Sequence, residues 1–103
     1  MHETPPPESI MGFVRRLPKT ETHLHLEGAL PYELLQRLDP ARFARTPASW
    51  EPDFRFASFT DFDNLIIELL SPWFVSAERY HEAAALTFRR LAEQNVRYVE
   101  TSF

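Results

Sequence analysis

The sequence predicts an α/β chain built on a parallel sheet. Two runs rich in β-forming residues, 20–26 and 96–103, are separated by segments of helical periodicity. Strands that are joined through helices pair in parallel by a right-handed crossover. Nothing after the second run would cover it, whereas parallel sheets are buried on both faces. We therefore expect the chain to be the opening part of a larger fold.

The first third of the chain contains clear start and stop signals. Residues 1–8 are polar and proline-rich, so we expect an extended, mobile tail there. Ser9 is predicted to cap a short helix that stops before Pro18. Gly28 then ends the first strand run, and Pro31 suits the first turn of a helix whose apolar face contains Leu34, Leu35 and Leu38.

The remainder alternates between irregular and periodic segments. Residues 39–58 contain three prolines and no sustained period, which predicts a long loop with short helical turns. Two helices should follow, the first capped by Ser58 or Thr60 and the second by Ser76. Asn95 fits the left-handed position that ends a helix.

Composition narrows the classes of function. The net charge is −4 and the basic residues are scattered, so no stripe exists to bind nucleic acid. Cysteine is absent, which excludes disulfides and thiolate metal sites and is compatible with a reducing compartment. The apolar runs are too short for a membrane helix, and the start lacks a signal-peptide pattern. We predict a cytoplasmic protein with a small-molecule partner; its oligomeric state stays open.

The first strand run carries the residues with metal and acid–base chemistry. Period-two alternation places Glu21, His23, His25 and Glu27 on one face, and Thr22, Leu24 and Leu26 on the other. Two imidazoles in that spacing can converge on one cation at about 2.0–2.1 Å each. Ligands bind at the carboxyl ends of parallel strands, and Gly28 would let the backbone approach one. Paired histidines on an exposed strand can bind a metal or only contact solvent; their place at the carboxyl end of the strand, before Glu-Gly and a helix that starts with Pro, favours the metal.

The run Leu17-Pro-Lys-Thr-Glu-Thr-His-Leu-His-Leu-Glu-Gly28 resembles the Pro-Lys-x-Glu-Leu-His-x-His-Leu-Asp/Glu-Gly opening of the adenosine deaminase family. The run 96–100, after a long helix, is similar to that family's second barrel strand. The resemblance covers nearly the whole chain. It implies that residues 9–103 are the first β/α units, the amino-terminal portion of a (β/α)₈ TIM-type barrel that is incomplete in this chain.

The same resemblance implies the chemistry of the site. His23 and His25 match two ligands of one zinc ion, and His25, Glu27 and Gly28 match positions that contact substrate. The complete enzyme would use a zinc-activated water to deaminate adenosine to inosine and ammonia. The family's proton-donating Glu, its second-shell His and its later His and Asp ligands have no counterpart here. We therefore assign no catalytic residue and expect the chain alone to be inactive.

Two alternatives stay open. Members that act on adenosine commonly have Asp at the position of Glu27, so this chain could act on adenine or a modified adenosine. It could also be a non-catalytic binding remnant of the family.

Other residues suggest roles that we rank lower. His2 lies in the predicted tail, and His81 fits an ordinary helix position. Trp73 and Phe74 could close over substrate, and Glu100 is expected to make a structural hydrogen bond. The remaining aromatic residues of the irregular stretch are expected to anchor it: Trp50, Phe54, Phe56 and Phe59.

Overall fold

The computed structural model describes residues 8–103, so the predicted tail lies almost entirely outside the described residues. Four α-helices and two strands follow the predicted order. In chain order they are α1 Ile10–Arg16, β1 Lys19–His25, α2 Tyr32–Leu38, α3 Phe59–Leu65, α4 Ala77–Glu93 and β2 Val96–Ser102. Short 3₁₀ turns occupy Glu27–Ala29, Ala48–Trp50 and Ser71–Trp73, and a π turn occupies Ile66–Leu70. Within the described range, no helix is long and apolar enough to cross a membrane.

The two strands pair in parallel, which confirms the predicted pairing. Lys19 lies opposite Val96 and His25 lies opposite Ser102, so the carboxyl ends of both strands meet at one edge. The register is interrupted between Glu21 and Leu24. The helices between the strands return the chain to the start of β2, so this is a β-α-β crossover.

Helix ends follow the predicted capping chemistry. The hydroxyls of Ser9, Ser58 and Ser76 each accept a hydrogen bond, at 3.1 to 3.2 Å, from the backbone N–H three residues later. Of the two candidates for α3, the structure therefore uses Ser58 rather than Thr60. Asn95 has φ 62° and ends α4 in the left-handed region, as predicted.

Three boundaries differ from the sequence-based expectation. β1 ends at His25 because Leu26 has helical dihedral angles, φ −58° and ψ −40°, and Glu27 opens a 3₁₀ turn. The alternation suggested that Glu27 continues the row of side chains on one face of β1, and the structure shows that it does not. Pro31 precedes α2 in extended conformation instead of lying in its first turn.

The apolar periodicity of the segment after Ser58 continues to Leu70, and a helix was expected over that length, but the chain is α-helical only to Leu65. The π turn comes next, and Pro72 has no N–H to continue the ladder. The Ser71 hydroxyl instead donates to the carbonyls of Ile66, at 3.3 Å, and Ile67, at 2.8 Å.

The apolar core lies among the helices and the irregular loop. Its buried members come from α2, the loop, the π turn and α4: Leu30, Leu34, Leu35, Phe43, Leu69, Leu70, Trp73 and Ala83. The loop is anchored by Phe43, which is buried, and by Trp50, whose ring contacts that of Tyr32 edge-on at 5.8 Å. Phe54 contacts Phe56, and Phe56 contacts Phe62 of α3. The loop between α2 and α3 is therefore packed against the helices. The expected anchoring role is wrong for Phe59, which lies in α3 and is 78% exposed.

Trp73 is one of the core residues, and its predicted role in closing over substrate is wrong. Only 3% of it is exposed, and its ring Nε1 donates to the Arg79 carbonyl at 3.0 Å. The guanidinium groups of Arg37 and Arg79 lie over the ring, 5.5 and 4.8 Å from its centroid. A ring that is buried and hydrogen-bonded in the core does not lie free above a cavity as a lid would.

Candidate metal and substrate site

The two histidines of β1 converge at the end of the strand. Their Nε2 atoms are 3.0 Å apart, and their rings meet edge-on with centroids 4.8 Å apart. His25 is the last residue of β1, so both imidazoles project from one face near its carboxyl end. This confirms the layout predicted from the alternation. Both side chains are exposed, so a ligand can reach them.

This pair fits part of a zinc site. Two nitrogens on one tetrahedral zinc, each bonded at about 2.0–2.1 Å, lie about 3.3 Å apart, close to the separation seen here. Residues 8–103 contain no group of three or more His, Cys, Asp or Glu that could hold a metal ion. A catalytic zinc takes three protein ligands and a water. The pair can therefore supply two of the donors of such a site, and the described residues place no third donor with them.

His81, the other histidine within residues 8–103, does not add to the pair. His81 is exposed on α4, as expected for an ordinary helix residue. His2 lies outside the described residues. The carboxylate of Glu21 already has a hydrogen-bond partner close in the chain, because its Oε1 accepts from the His23 backbone N–H at 3.3 Å.

His25, Glu27 and Gly28 line one cavity of about 390 Å³. Although Glu27 has left the strand, the 3₁₀ turn keeps it beside His25. The opposite wall comes from α3 and the π turn, through Phe59, Phe62, Asp63 and Ile66. This volume is within the range of small-molecule sites, which hold a few polar groups among apolar walls. Sequence reasoning missed Phe62 and Asp63, because no local pattern shows that α3 faces the end of β1.

Tyr80 of α4 is a second residue that sequence reasoning missed. Its hydroxyl donates to Glu27 Oε1 at 3.4 Å, which joins the cavity to the helical layer. The pKa of Tyr80 is raised above its usual value, because burial disfavours the phenolate and because the Glu27 carboxylate lies nearby. The proton that Tyr80 donates is therefore retained at neutral pH.

Phe74 packs against Tyr80 instead of lying free above the cavity. Their ring centroids are 4.7 Å apart, and Phe103 contacts the same tyrosine at 6.0 Å. Glu100 accepts a hydrogen bond from the Tyr98 hydroxyl at 2.6 Å, which is the structural bond that the sequence suggested.

The backbone conformation at position 28 does not require glycine. Its φ is not positive, and a side chain added there would meet no atom within 4 Å. A sharp turn that only glycine can adopt is therefore not the reason for glycine at this position. Close approach of a ligand to the Gly28 backbone stays a prediction.

Comparison with known proteins supplies independent evidence. The chain is 35% identical over 97 residues to an adenine deaminase of Rhodospirillum rubrum, covering 89% of this chain and 28% of that protein. It is 36% identical over 92 residues to an adenine deaminase of Streptomyces coelicolor, covering 84% and 26%. An adenine deaminase of Kluyveromyces lactis is 29% identical over 104 residues, covering 93% and 29%. These relatives are deaminases.

The similarity supports a relationship to deaminases, which are hydrolases, along most of this chain. The chain spans a little over a quarter of the length of the curated relatives it matches. No protein-family profile matches it, and no solved structure matches it either.

Proposed function

We propose that this chain supplies two metal ligands and a substrate-binding carboxylate to a hydrolytic 6-aminopurine deaminase, and that the substrate is adenine. The observation that carries the proposal is the convergence of His23 and His25 at 3.0 Å, with His25 and Glu27 lining one cavity. The names of the relatives support the deaminase class independently.

The proposal includes the architecture implied by the resemblance. β1 and β2 would be the first two strands of a (β/α)₈ barrel, with the histidines at the carboxyl end where such barrels bind ligands. The parallel pairing and the helical crossover support this assignment. The cytoplasmic location and the lack of a nucleic-acid partner stay predictions from composition.

His23 and His25 would hold the metal through their Nε2 atoms. A divalent ion there would supply a nucleophile at neutral pH, because such ions lower the pKa of coordinated water to about 7. The two imidazoles bind in their neutral form. With a metal bound, they would set the position at which a purine presents its amino carbon.

Glu27, which lines the same cavity as His25, would bind the purine. Its carboxylate accepts hydrogen bonds from ring N–H groups, and the Tyr80 hydroxyl holds it in place from the helical layer. Phe62 supplies an aromatic wall to the same cavity, which suits a flat heterocycle. The polar groups then orient the ligand, and the apolar wall excludes water.

Adenine is favoured over adenosine for two reasons. The relatives named above are adenine deaminases, and this chain has Glu27 where adenosine-specific members commonly have Asp. The additional methylene of Glu extends the carboxylate further into the cavity. A base without ribose would leave room for that reach.

A chimera tests the proposal directly. This chain would replace the matched 97 residues of the Rhodospirillum rubrum protein, and ammonia release would be measured with adenine and with adenosine. We expect turnover of adenine with bound zinc, and no turnover by the 103-residue chain alone. His25→Asn should abolish zinc binding and turnover, whereas His81→Asn, an exposed histidine outside the pair, should preserve both.

Three results would contradict the proposal. A folded chimera that keeps zinc and releases no ammonia would contradict the deaminase function. Equal losses in His25→Asn and His81→Asn would contradict the histidine pair. A folded chimera with neither zinc nor turnover would support the binding-remnant alternative. Glu27→Asp should shift kcat/KM towards adenosine, and no shift would remove Glu27 from substrate choice.

A further inference from the structure

Ser102 is held in a fixed position beside His25 by the main chain. The two residues are paired across the sheet, and the backbone N–H of Leu26 donates to the Ser102 carbonyl at 3.1 Å. One residue earlier, the Thr101 hydroxyl donates to the Leu24 carbonyl at 2.9 Å. These bonds connect the end of β1 to the end of β2. The backbone of Ser102 therefore has a defined place relative to the imidazole, and its Oγ lies within hydrogen-bond distance of the ring.

The two ring nitrogens of His25 have different partners. Nδ1 lies 3.2 Å from the Ser102 Oγ, and Nε2 lies 3.0 Å from the His23 Nε2. A neutral imidazole carries one proton, on one nitrogen or the other. A proton on Nδ1 can be donated to the Ser102 oxygen, and the lone pair of Nε2 then points to where the two histidines converge.

We propose that Ser102 is a positioning residue. It accepts a hydrogen bond from the Nδ1–H of His25 and so holds the ring in the tautomer whose Nε2 binds the metal. The proposal deepens the proposed function and rests on it for the metal, but the tautomer is a property of the metal-free chain. Ligating histidines generally donate their second N–H to an oxygen acceptor, and loss of such a partner costs about 10–100-fold in metal affinity.

The sequence alone did not indicate Ser102, because it lies 77 positions after His25 in the chain. Only the register of β1 against β2 makes the two residues neighbours. A shift of one residue would place Thr101 or Phe103 opposite His25 instead. The role therefore depends on the sheet and not on a motif.

The first test is tautomer detection on the full 103-residue chain without metal. Nitrogen-15 NMR of the imidazoles at about pH 8.5, roughly two units above the usual histidine pKa, reports which nitrogen carries the proton. We expect His25 protonated on Nδ1 in the wild type and in Ser102→Thr, which keeps the hydroxyl. In Ser102→Ala the proton should move towards Nε2. Thr101→Val, which removes the neighbouring hydroxyl, should leave the tautomer unchanged.

The second test is titration of the same variants with Zn²⁺. We expect Ser102→Ala to weaken binding about tenfold, with Ser102→Thr and Thr101→Val within about twofold of the wild type. Unchanged tautomer and affinity in Ser102→Ala would overturn the proposal and leave the histidine pair standing. Equal weakening in Ser102→Ala and Thr101→Val would also overturn it, because the effect would then belong to the sheet end as a whole. A wild type that binds no Zn²⁺, with a tautomer that still follows Ser102, would support the positioning role; it would not count against the metal site, which two donors alone do not complete.

Discussion

The helical layer and the two-stranded sheet of this chain are built by different forces. In the helical layer Leu34 and Leu35 are almost completely buried, 2% and 0% exposed. On β1 and β2, every residue is exposed or half-buried. Apolar burial stabilises the first region, whereas backbone hydrogen bonds hold the second together.

The candidate functional groups lie in the less buried region. A carboxylate or an imidazole that must bind a ligand cannot be enclosed without partners, because burying an unpaired polar group is costly. The helical layer nevertheless fixes the site. The turn Glu27–Ala29 lies between Leu26 and Leu30, which are both 3% exposed, so two buried leucines anchor the segment that carries Glu27.

The largest expected effect is the loss of the helical core. Leu35→Ala should lower the free energy of unfolding by about 2–5 kcal/mol, because it leaves a cavity in the most buried position. Ile67→Ala, at a position 60% exposed, is the matched control and should cost less than about 1 kcal/mol. Urea unfolding followed by the fluorescence of buried Trp73 measures both. Equal costs would mean that the core has been assigned to the wrong region.

The junction between the two regions should show the next largest effect. Asn95→Ala should cost about 1–2 kcal/mol, because Ala lacks the local side-chain hydrogen bonds that allow Asn to adopt φ 62°. The substitution also removes hydrogen bonds from Asn95 Nδ2 to the Arg16 carbonyl and from Arg97 Nε to Asn95 Oδ1, both 2.6 Å. Asn95→Gly relieves the strain and should cost less than Ala. A glycine variant as unstable as the alanine variant would place the effect in the side-chain bonds alone.

Two serine caps compare the regions with the same chemistry. Ser76→Ala should cost about 1 kcal/mol, because α4 contributes to the core and unfolds with it. Ser9→Ala removes an equivalent bond from α1, which has no buried residue, and should barely change global unfolding. Thermal unfolding of both variants measures the difference. A similar loss in Ser9→Ala would show that α1 unfolds together with the helical layer.

Gly28→Ala should have the smallest effect on stability. The added methyl meets no atom within 4 Å, so the free energy of unfolding should change by less than about 0.5 kcal/mol. In the chimera with the Rhodospirillum rubrum protein, the same substitution should raise the KM for adenine if the purine approaches this backbone. Unchanged kinetics would remove Gly28 from the binding surface.

Local patterns predicted a large part of the fold. The three serine caps, the left-handed Asn95 and the parallel strand pair all follow from short-range rules and one crossover argument. The histidine pair also belongs to this class, because alternation on a strand determines which side chains share a face. Apart from the strand pair, each of these features depends on residues only a few positions apart.

The sequence by itself thus determined the order of the elements and the two converging imidazoles. Tertiary structure decided which distant groups surround them: Ser102 beside His25, Tyr80 on Glu27, and the α3 wall with Phe62. It also decided that Trp73 is enclosed and that β1 stops before Glu27. The physical reason is that strand register and helix packing minimise exposed apolar surface over the whole chain. A local stretch of a few residues does not determine that packing.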